Sequence, residues 1–431
     1  MKIVQITDRL SVAAQPEPGD FRGFAAQGYG AVVNVRPDGE EPGQMGSAAE
    51  KEAARKAGLS YGFVPVTGPT ITEPDIRAFQ RVLSAADGPT LVHCRSGTRA
   101  LTLHALGEVL DGRMKRDDLA ALGRRFGFDL SGAAAWLDRE AARTPLVKGF
   151  HDSRTGSVQY VVTDPATKRC AIIDPVHDFD EKSGSTATTH ADAILAYVAE
   201  QGLTVAWILD THPHADHFSA ADYLRKKTGA RTATGAHVVD VQKLWKTIYD
   251  WPEFEADGSQ WDRLFAEDDN FELGTLTGRV MHSPGHTLAS VTYVIGDAAF
   301  VHDTVFMPDS GTARADFPGA SAKALWNSIE RILALPDETR LFTGHDYEPG
   351  GRHPKWESTV AEQKRSNAHV AGITKDRFIA LREARDRTLP MPKLILHALQ
   401  VNIRGGRLPE PDSKGRRYLR FPLDALPAAA W

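Results

Sequence analysis

The chain has only two cysteines in 431 residues, Cys94 and Cys170. One pair of thiols cannot build a disulfide framework, so stability must come from buried apolar surface, and the expected compartment is a reducing cytoplasm. Basic charge is not in excess. Against 56 Asp and Glu stand 51 Lys and Arg, a formal net charge of -5, which offers nothing to a nucleic-acid backbone or an anionic membrane surface. Neither is expected as a partner. Long apolar runs are missing too: no stretch approaches the roughly 20 apolar residues that cross a bilayer, and the start, MKIVQITDRL, has no charged region leading into an apolar one. No internal repeat or low-complexity tract is present.

What is there has the composition of a globular protein, 42% hydrophobic and 25% charged, at a length that calls for two domains. The first third alternates strands with helices. AVVNVR (31–36), YGFVPV and TLVHC read as strands. SAAEKEAARKAG, TEPDIRAFQRVLSAA and TRALTLHALGEVL read as helices, the second with Thr72 as N-cap and Asp75 at its capping-box position. That alternation implies a parallel sheet with helical crossovers. Residues 111–143 are helical and charged, either a linker or a segment closing the first domain. A second αβ unit runs over 144–400, with strands at SVQYVVTD, RCAIIDPV, GRVMHS and SVTYVIGDAAFVHD and helices at 190–202, 218–228 and 322–335. The tail, 401–431, reads as irregular. Cys170, inside the strand RCAIID, reads as core packing.

Two constellations carry chemistry. LDTHPHADHFSA places His212, His214, Asp216 and His217 just after the apolar strand TVAWIL, and SPGHT, VHDTVF and FTGHDY add His286, Asp303 and His345. Imidazoles and carboxylates gathered at strand ends would repel or desolvate one another without a cation, and they are transition-metal ligands. The other constellation is VHCRSGTRA (92–100). Cys94 ends a strand just before a helix, so loop N–H groups and the helix N-terminus would lower the thiol pKa and bind an anion. Arg99 would add a charge-assisted contact, and Arg95, Ser96, Gly97 and Thr98 would form the cradle. Four residues separate Cys94 from Arg99. A smaller ring of donors suits a single sulfur atom better than a phosphoryl group, and a phosphatase also needs a general acid. Asp38 is the candidate acid, or else it caps the turn at Gly39.

The HxHxDH pattern with its later His, Asp and His resembles the metallo-β-lactamase fold over roughly 144–370. That resemblance implies an αββα sandwich with the metal site at one edge. GTARADF (311–317) and GHDY (344–347) followed by TVAEQKRSN look like the persulfide dioxygenase branch, whereas glyoxalase II typically has a glutamate in place of Asp346. The branch resemblance implies one Fe(II) per chain on His212, His286 and Asp303, with His214, Asp216, His217 and His345 around it. It implies oxidation of glutathione persulfide, or another low-molecular-weight persulfide, by O2 to sulfite and thiol, with Tyr347 and Arg314 at the substrate. Homo-oligomers are common in such oxidoreductases. The alternative from the same fold is a two-zinc thioester hydrolase, with His212, His214 and His286 at one ion, Asp216, His217 and His345 at the other, and Asp303 bridging. Many relatives carry Asn-Pro-Arg for glutathione where this chain has Asn367-Ala368-His369, which leaves the thiol carrier open. Residues 1–110, with SVAAQPEPGDF, VVNVRPDGEE and the Cys94 loop, resemble the tyrosine-phosphatase-like domain fused to β-lactamase-like hydrolases. The phosphatase arginine, however, would fall at Ala100, and CRSGxR loops are those of rhodaneses. The expectation is sulfur transfer at Cys94 ahead of phosphatase activity.

Overall fold

Val32, Val33, Leu91 and Val92 are shielded from solvent on both faces of their strands, as in a sheet covered by helices on either side. In the computed structural model, which describes residues 2–426, these strands belong to a five-stranded sheet ordered Ile3–Gln5, Leu10–Ala13, Thr90–His93, Ala31–Asn34 and Ser60–Phe63. The first pair is antiparallel and the remaining pairs are parallel. The helix Glu73–Ser84 opens on the expected reciprocal cap: Thr72 accepts from the Asp75 N–H, and the Thr72 N–H donates to Asp75 at 2.9 Å. Thr90–His93 lies in the middle of the sheet, and Cys94 follows it directly.

The chain divides into two units, Met1–Ala141 and Ala142–Trp431. The segment after residue 110 contributes side chains to the core of the first unit. Leu119, Ala133 and Trp136, from the helices Leu119–Phe126 and Ser131–Arg143, and Leu130 from the turn between them share one apolar core with Val33, Val92 and Cys94. The Trp136 indole donates to the Ile71 carbonyl at 2.8 Å.

The second unit stacks two six-stranded sheets. One is ordered Arg263–Phe265, Arg231–Gly235, Thr204–Leu209, Arg169–Ile173, Val158–Thr163, Leu146–His151. The other is ordered Asn270–Leu273, Leu276–His282, Val291–Ile295, Ala298–His302, Arg340–Thr343, Glu357–Thr359. Tyr160, Val162, Ile173, Leu209, Tyr293, Phe300 and Phe342 interdigitate in the core between them. Ala191, Ile194 and Leu224, from the helices Thr189–Glu200 and Ala221–Thr228, cover the outer face of the first sheet. Leu325, Ile329 and Phe378, from Ala322–Leu333 and Lys375–Asp386, cover the second. This is the αββα sandwich expected for the second unit. The stretch expected as SVTYVIGDAAFVHD is two strands, turning at Gly296 with φ 58°. The tail departs from expectation at its start, because a helix, Ile395–Asn402, runs past residue 400. Among the described residues no helix is long and apolar enough to cross a membrane.

Replacing Trp136 by Ala should lower the stability of the first unit by about 3 to 5 kcal/mol, the usual cost of deleting a buried indole; denaturant unfolding of the full chain measures it. Cys170 sits among Val161, Ile172 and Ala191, and burial pushes its thiol from 9.0 to about 12. The folded state therefore holds this proton where the unfolded chain releases it. That contribution to stability is complete below pH 9 and declines as pH rises towards 12. In the native protein at mildly alkaline pH, Cys170 should resist iodoacetamide and become labelled only on unfolding.

Candidate metal centre and cysteine cleft

Strand ends build the metal centre. The strand Thr204–Leu209 delivers His212 to His217, Leu276–His282 leads to His286, Ala298–His302 to Asp303, and Arg340–Thr343 to His345. The ligand atoms of His212, His286 and Asp303 lie within 4.8 Å of one another, and all three residues are buried. Asp303 Oδ2 stands 3.5 Å from His286 Nε2 and 4.0 Å from His212 Nε2. The far side of each ligand is fixed by a neighbour. Thr211 Oγ1 lies 3.0 Å from His212 Nδ1, and the Arg314 carbonyl 2.9 Å from His286 Nδ1. His345 Nδ1 meets Asp303 Oδ1 at 2.7 Å. His212 Nε2 is buried with no partner in the protein. Such an orphan is costly unless something fills the space before it. Two imidazole nitrogens and one carboxylate oxygen, each braced from behind, fit a divalent transition metal.

The electrostatics agree. Burial, reinforced by His214 and His286, holds His212 well below its ordinary 6.5 and keeps its lone pair free. Burial also lowers His286. On Asp303 burial acts upward, yet the charge and hydrogen bond of His345 outweigh it and hold the carboxyl at about 2. Gly344 passes so close that a Cβ there would meet Asp303 Oδ1 at 2.4 Å, so any other residue would displace the ligand.

The remaining predicted residues sit against this cradle in two groups. His214, Asp216 and His217 also offer ligand atoms within 4.8 Å of one another. Asp216 Oδ2 accepts from Ser157 Oγ at 3.0 Å and lies 2.8 Å from His345 Nε2 and 3.1 Å from His217 Nδ1. His214 Nε2 faces Asp174 Oδ1 at 3.1 Å; burial opposes its protonation, but Asp174 overrides that and raises it to about 9.

Three supports escaped the sequence reading. Asp174, at φ 51°, accepts from Thr211 N and Oγ1. Ser157 bridges Asp216, His217 and His345. Asn402 donates to the carbonyls of His214 and His217, both at 2.8 Å, and accepts from the Ser219 N–H. Each is a single polar residue at the end of an apolar run, the one signal that could have marked it.

A cavity of about 330 Å³ opens onto the centre, lined by His286, Asp303, Phe306, Phe317, Tyr347 and Arg314 among others. The Tyr347 ring stacks on His345 at 5.4 Å and is largely exposed. Arg314 lines the wall and also pairs with Asp316 through two bonds of 2.6 and 2.7 Å. Asp346, at the position where glyoxalase II typically has glutamate, bonds Arg352 and the Lys355 N–H. His369 lines the cavity while its Nδ1 accepts from the Thr312 N–H at 3.0 Å.

The cysteine constellation forms a separate cleft of about 530 Å³. Gly97, at φ 92°, turns the chain into the helix Thr98–Leu110, and its N–H points at Cys94 Sγ at 3.1 Å. Arg95, Ser96, Thr98 and Arg99 line the cleft with Cys94. Asp38 is not brought to the cysteine: its carboxylate accepts from Ser47 N and Oγ at 2.7 and 2.6 Å, at the start of the helix Ser47–Lys56. The acid that does line the cleft is Asp129, which sequence reasoning missed; the Ser131 N–H holds it below the usual carboxylate range.

Comparison with known proteins follows this division. Residues 2–111 match the family model "Beta-lactamase hydrolase-like protein, phosphatase-like domain", and residues 153–345 match the metallo-beta-lactamase superfamily. The beta-lactamase hydrolase-like protein of Xylella fastidiosa (strain 9a5c) is 68% identical over 431 residues, 100% of both chains. A probable metallo-hydrolase of Burkholderia pseudomallei is 49% identical over 292 residues, 65% of this chain and 99% of that one. The mitochondrial persulfide dioxygenase of Mus musculus is 28% identical over 264 residues, 61% of this chain and 89% of that one.

Because the cradle leaves a buried imidazole without a partner, ion binding should stabilise the fold. A chelator should lower the Tm of the second unit, with a loss of about 3 kcal/mol for an ion held at 100 times its Kd. Calorimetry before and after re-addition of metal reads the change, and in His286→Ala the shift should vanish.

Proposed function

The chain belongs to the beta-lactamase hydrolase-like protein family, and from that premise we propose that it couples two sulfur reactions. The second unit oxidises glutathione persulfide, or a related low-molecular-weight persulfide, and the first transfers sulfane sulfur through Cys94. One observation carries the oxidative reading. His212, His286 and Asp303 form a two-nitrogen, one-oxygen set braced from behind on every ligand, while Asp216 is engaged by His217, His345 and Ser157, with His217 Nε2 and both His214 nitrogens left without a partner. His212, His286 and Asp303 would hold ferrous iron, which would supply the redox change that zinc lacks. In the overall reaction persulfide, O2 and water yield thiol, sulfite and two protons.

The chain's own residues do the positioning. Thr211 and the Arg314 carbonyl aim the two imidazoles. His345, charged between Asp303 and Asp216, keeps the Asp303 carboxylate ionised and oriented. Phe306 and Phe317 give the cavity an apolar patch beside the polar side chains of Arg314 and His369, and the exposed Tyr347 is placed to meet an incoming substrate. The relationship to a persulfide dioxygenase supports this reading.

At Cys94 the step is a sulfur exchange. The thiolate attacks the outer sulfur of an organic persulfide, a new S–S bond forms on Cys94, and the inner S–S bond breaks to release the thiolate of the carrier. No acid is needed for that leaving group. A phosphatase would need one, and Asp38 is engaged by Ser47.

One observation favours a second reading. His214, Asp216 and His217 also converge within 4.8 Å, which would let a second ion bind and make the unit a zinc thioester hydrolase. Oxygen uptake separates the two. Iron-loaded protein should consume one O2 per glutathione persulfide and release sulfite, and Asp303→Ala should lose at least about a thousandfold in kcat, as expected when an ion is lost. Zinc-loaded protein that hydrolyses S-lactoylglutathione, with no oxygen consumed in the iron form, contradicts the proposal.

A further inference from the structure

Arg36 is 2% exposed, and a guanidinium taken so far from water needs acceptors along its edges. It has them. Nε donates to Glu40 Oε2 at 2.6 Å, Nη2 to Glu41 Oε2 at 2.7 Å and Nη1 to Gln15 Oε1 at 3.2 Å. Gln15 in turn donates to Glu50 at 2.6 Å, and the fully buried Glu50 also lies 3.1 Å from His93 Nε2, on the residue before Cys94. Glu40 is therefore tied through Arg36 to the interior of the first unit. Its other oxygen, Oε1, accepts from Arg99 Nη2 at 2.6 Å. The Arg36 hydrogen bond, with that of Arg99, keeps Glu40 below the usual carboxylate range, so it stays charged. Arg99 lines the cleft together with Cys94. Its second terminal nitrogen, Nη1, is buried and bonds nothing among the described residues.

We infer that Glu40 is a positioning residue for Arg99: it takes one edge of the guanidinium and leaves Nη1 as the donor for an anionic atom brought to Cys94. A buried N–H without an acceptor is costly, and an anion seated beside the thiol supplies the acceptor. The planar fork suits the task, because one nitrogen is held while the other donates. A lysine ammonium is a single point and cannot do both. Arg99 is also held before a ligand arrives, so less side-chain freedom is lost on binding. Charge alone works in the other direction, since a carboxylate beside Arg99 weakens the attraction for an anion. Position and charge thus give opposite signs for the removal of Glu40. The role concerns the anion at Cys94 whichever reaction follows, and it does not rest on the sulfurtransferase reading.

The test alkylates Cys94 in the full-length protein with iodoacetate, an anion, and with iodoacetamide, its neutral analogue, and follows the Cys94 peptide by mass spectrometry. One thiol attacks both reagents, so the ratio of the two rates is insensitive to its ionisation and reports the seat for the carboxylate. Relative to the same ratio for free glutathione, it should be raised about tenfold in the wild type, the worth of one charge-assisted contact. Glu40→Ala should lower it at least about threefold, and Arg99→Lys, which keeps the charge, by a similar factor. In an Arg99→Ala background Glu40→Ala should lower it no further, because Glu40 acts through Arg99. Glu40→Gln, closer in size, should shift the ratio in the same direction by less, and circular dichroism identifies the variants that keep the native fold. An unchanged or higher ratio in a folded Glu40 variant or in Arg99→Lys overturns the role of Glu40. So does an equal fall in the Arg99→Ala background, or a wild-type ratio no higher than that of glutathione.

Discussion

The need to satisfy buried imidazoles and carboxylates on one loop governs the second unit. His212, His214 and His217 are each no more than 3% exposed, and burying such groups unpaired costs on the order of 1 to 3 kcal/mol apiece. The protein meets that cost from below with fixed polar partners. Asp174 adopts a left-handed backbone, at about 1 kcal/mol, and holds Thr211 and His214. Asn402 reaches in from the C-terminal helix to the carbonyls of His214 and His217. These partners leave His212 Nε2 unsatisfied where it faces Asp303 and His286, and they also leave both His214 nitrogens and His217 Nε2 without a hydrogen bond.

The sandwich exists to hold strand ends at one edge. Tyr160 shows the coupling: its ring packs against Phe300 and Phe342 in the core, while its hydroxyl donates to the Thr343 carbonyl, two residues before His345. Tyr293 likewise donates to the Asp210 carbonyl, two residues before His212. The apolar core therefore reaches the ligand loops through hydrogen bonds, and a ligand position is a property of the packing as much as of the loop. In the first unit the same logic is simpler. A central buried strand ends at Cys94, one glycine turns the chain, and the acidic segment after Arg36 engages Arg95 and Arg99.

Much of this was legible because the signals are local. Alternating strands and helices, the Thr72 cap and the density of histidines after TVAWIL all lie within short windows, and each is where it was expected. The supports of the site were not legible. Asp174, Ser157 and Asn402 are far apart in sequence, and only the stacked sheets bring them to the same loop. Asp38 offered two roles in the sequence, and the structure gives it Ser47 as a partner. Glu40 and Glu41 were visible in RPDGEE, but their pairing with Arg99 and Arg95 depends on a crossover between strands and could not be read from spacing. Residues 401–431 held no pattern, yet Asn402 and Gly406 pack under the metal loop, where a Cβ on Gly406 would meet the Ser219 carbonyl at 2.6 Å.

The proposed oxidation requires one redox-active ion on the set formed by His212, His286 and Asp303. Its most direct test is elemental analysis of the purified chain combined with anomalous diffraction at the iron and zinc edges. The expected result is a single iron per chain, bound by those three residues, with no ion between His214, Asp216 and His217. Two zinc ions, one in each group, would contradict it.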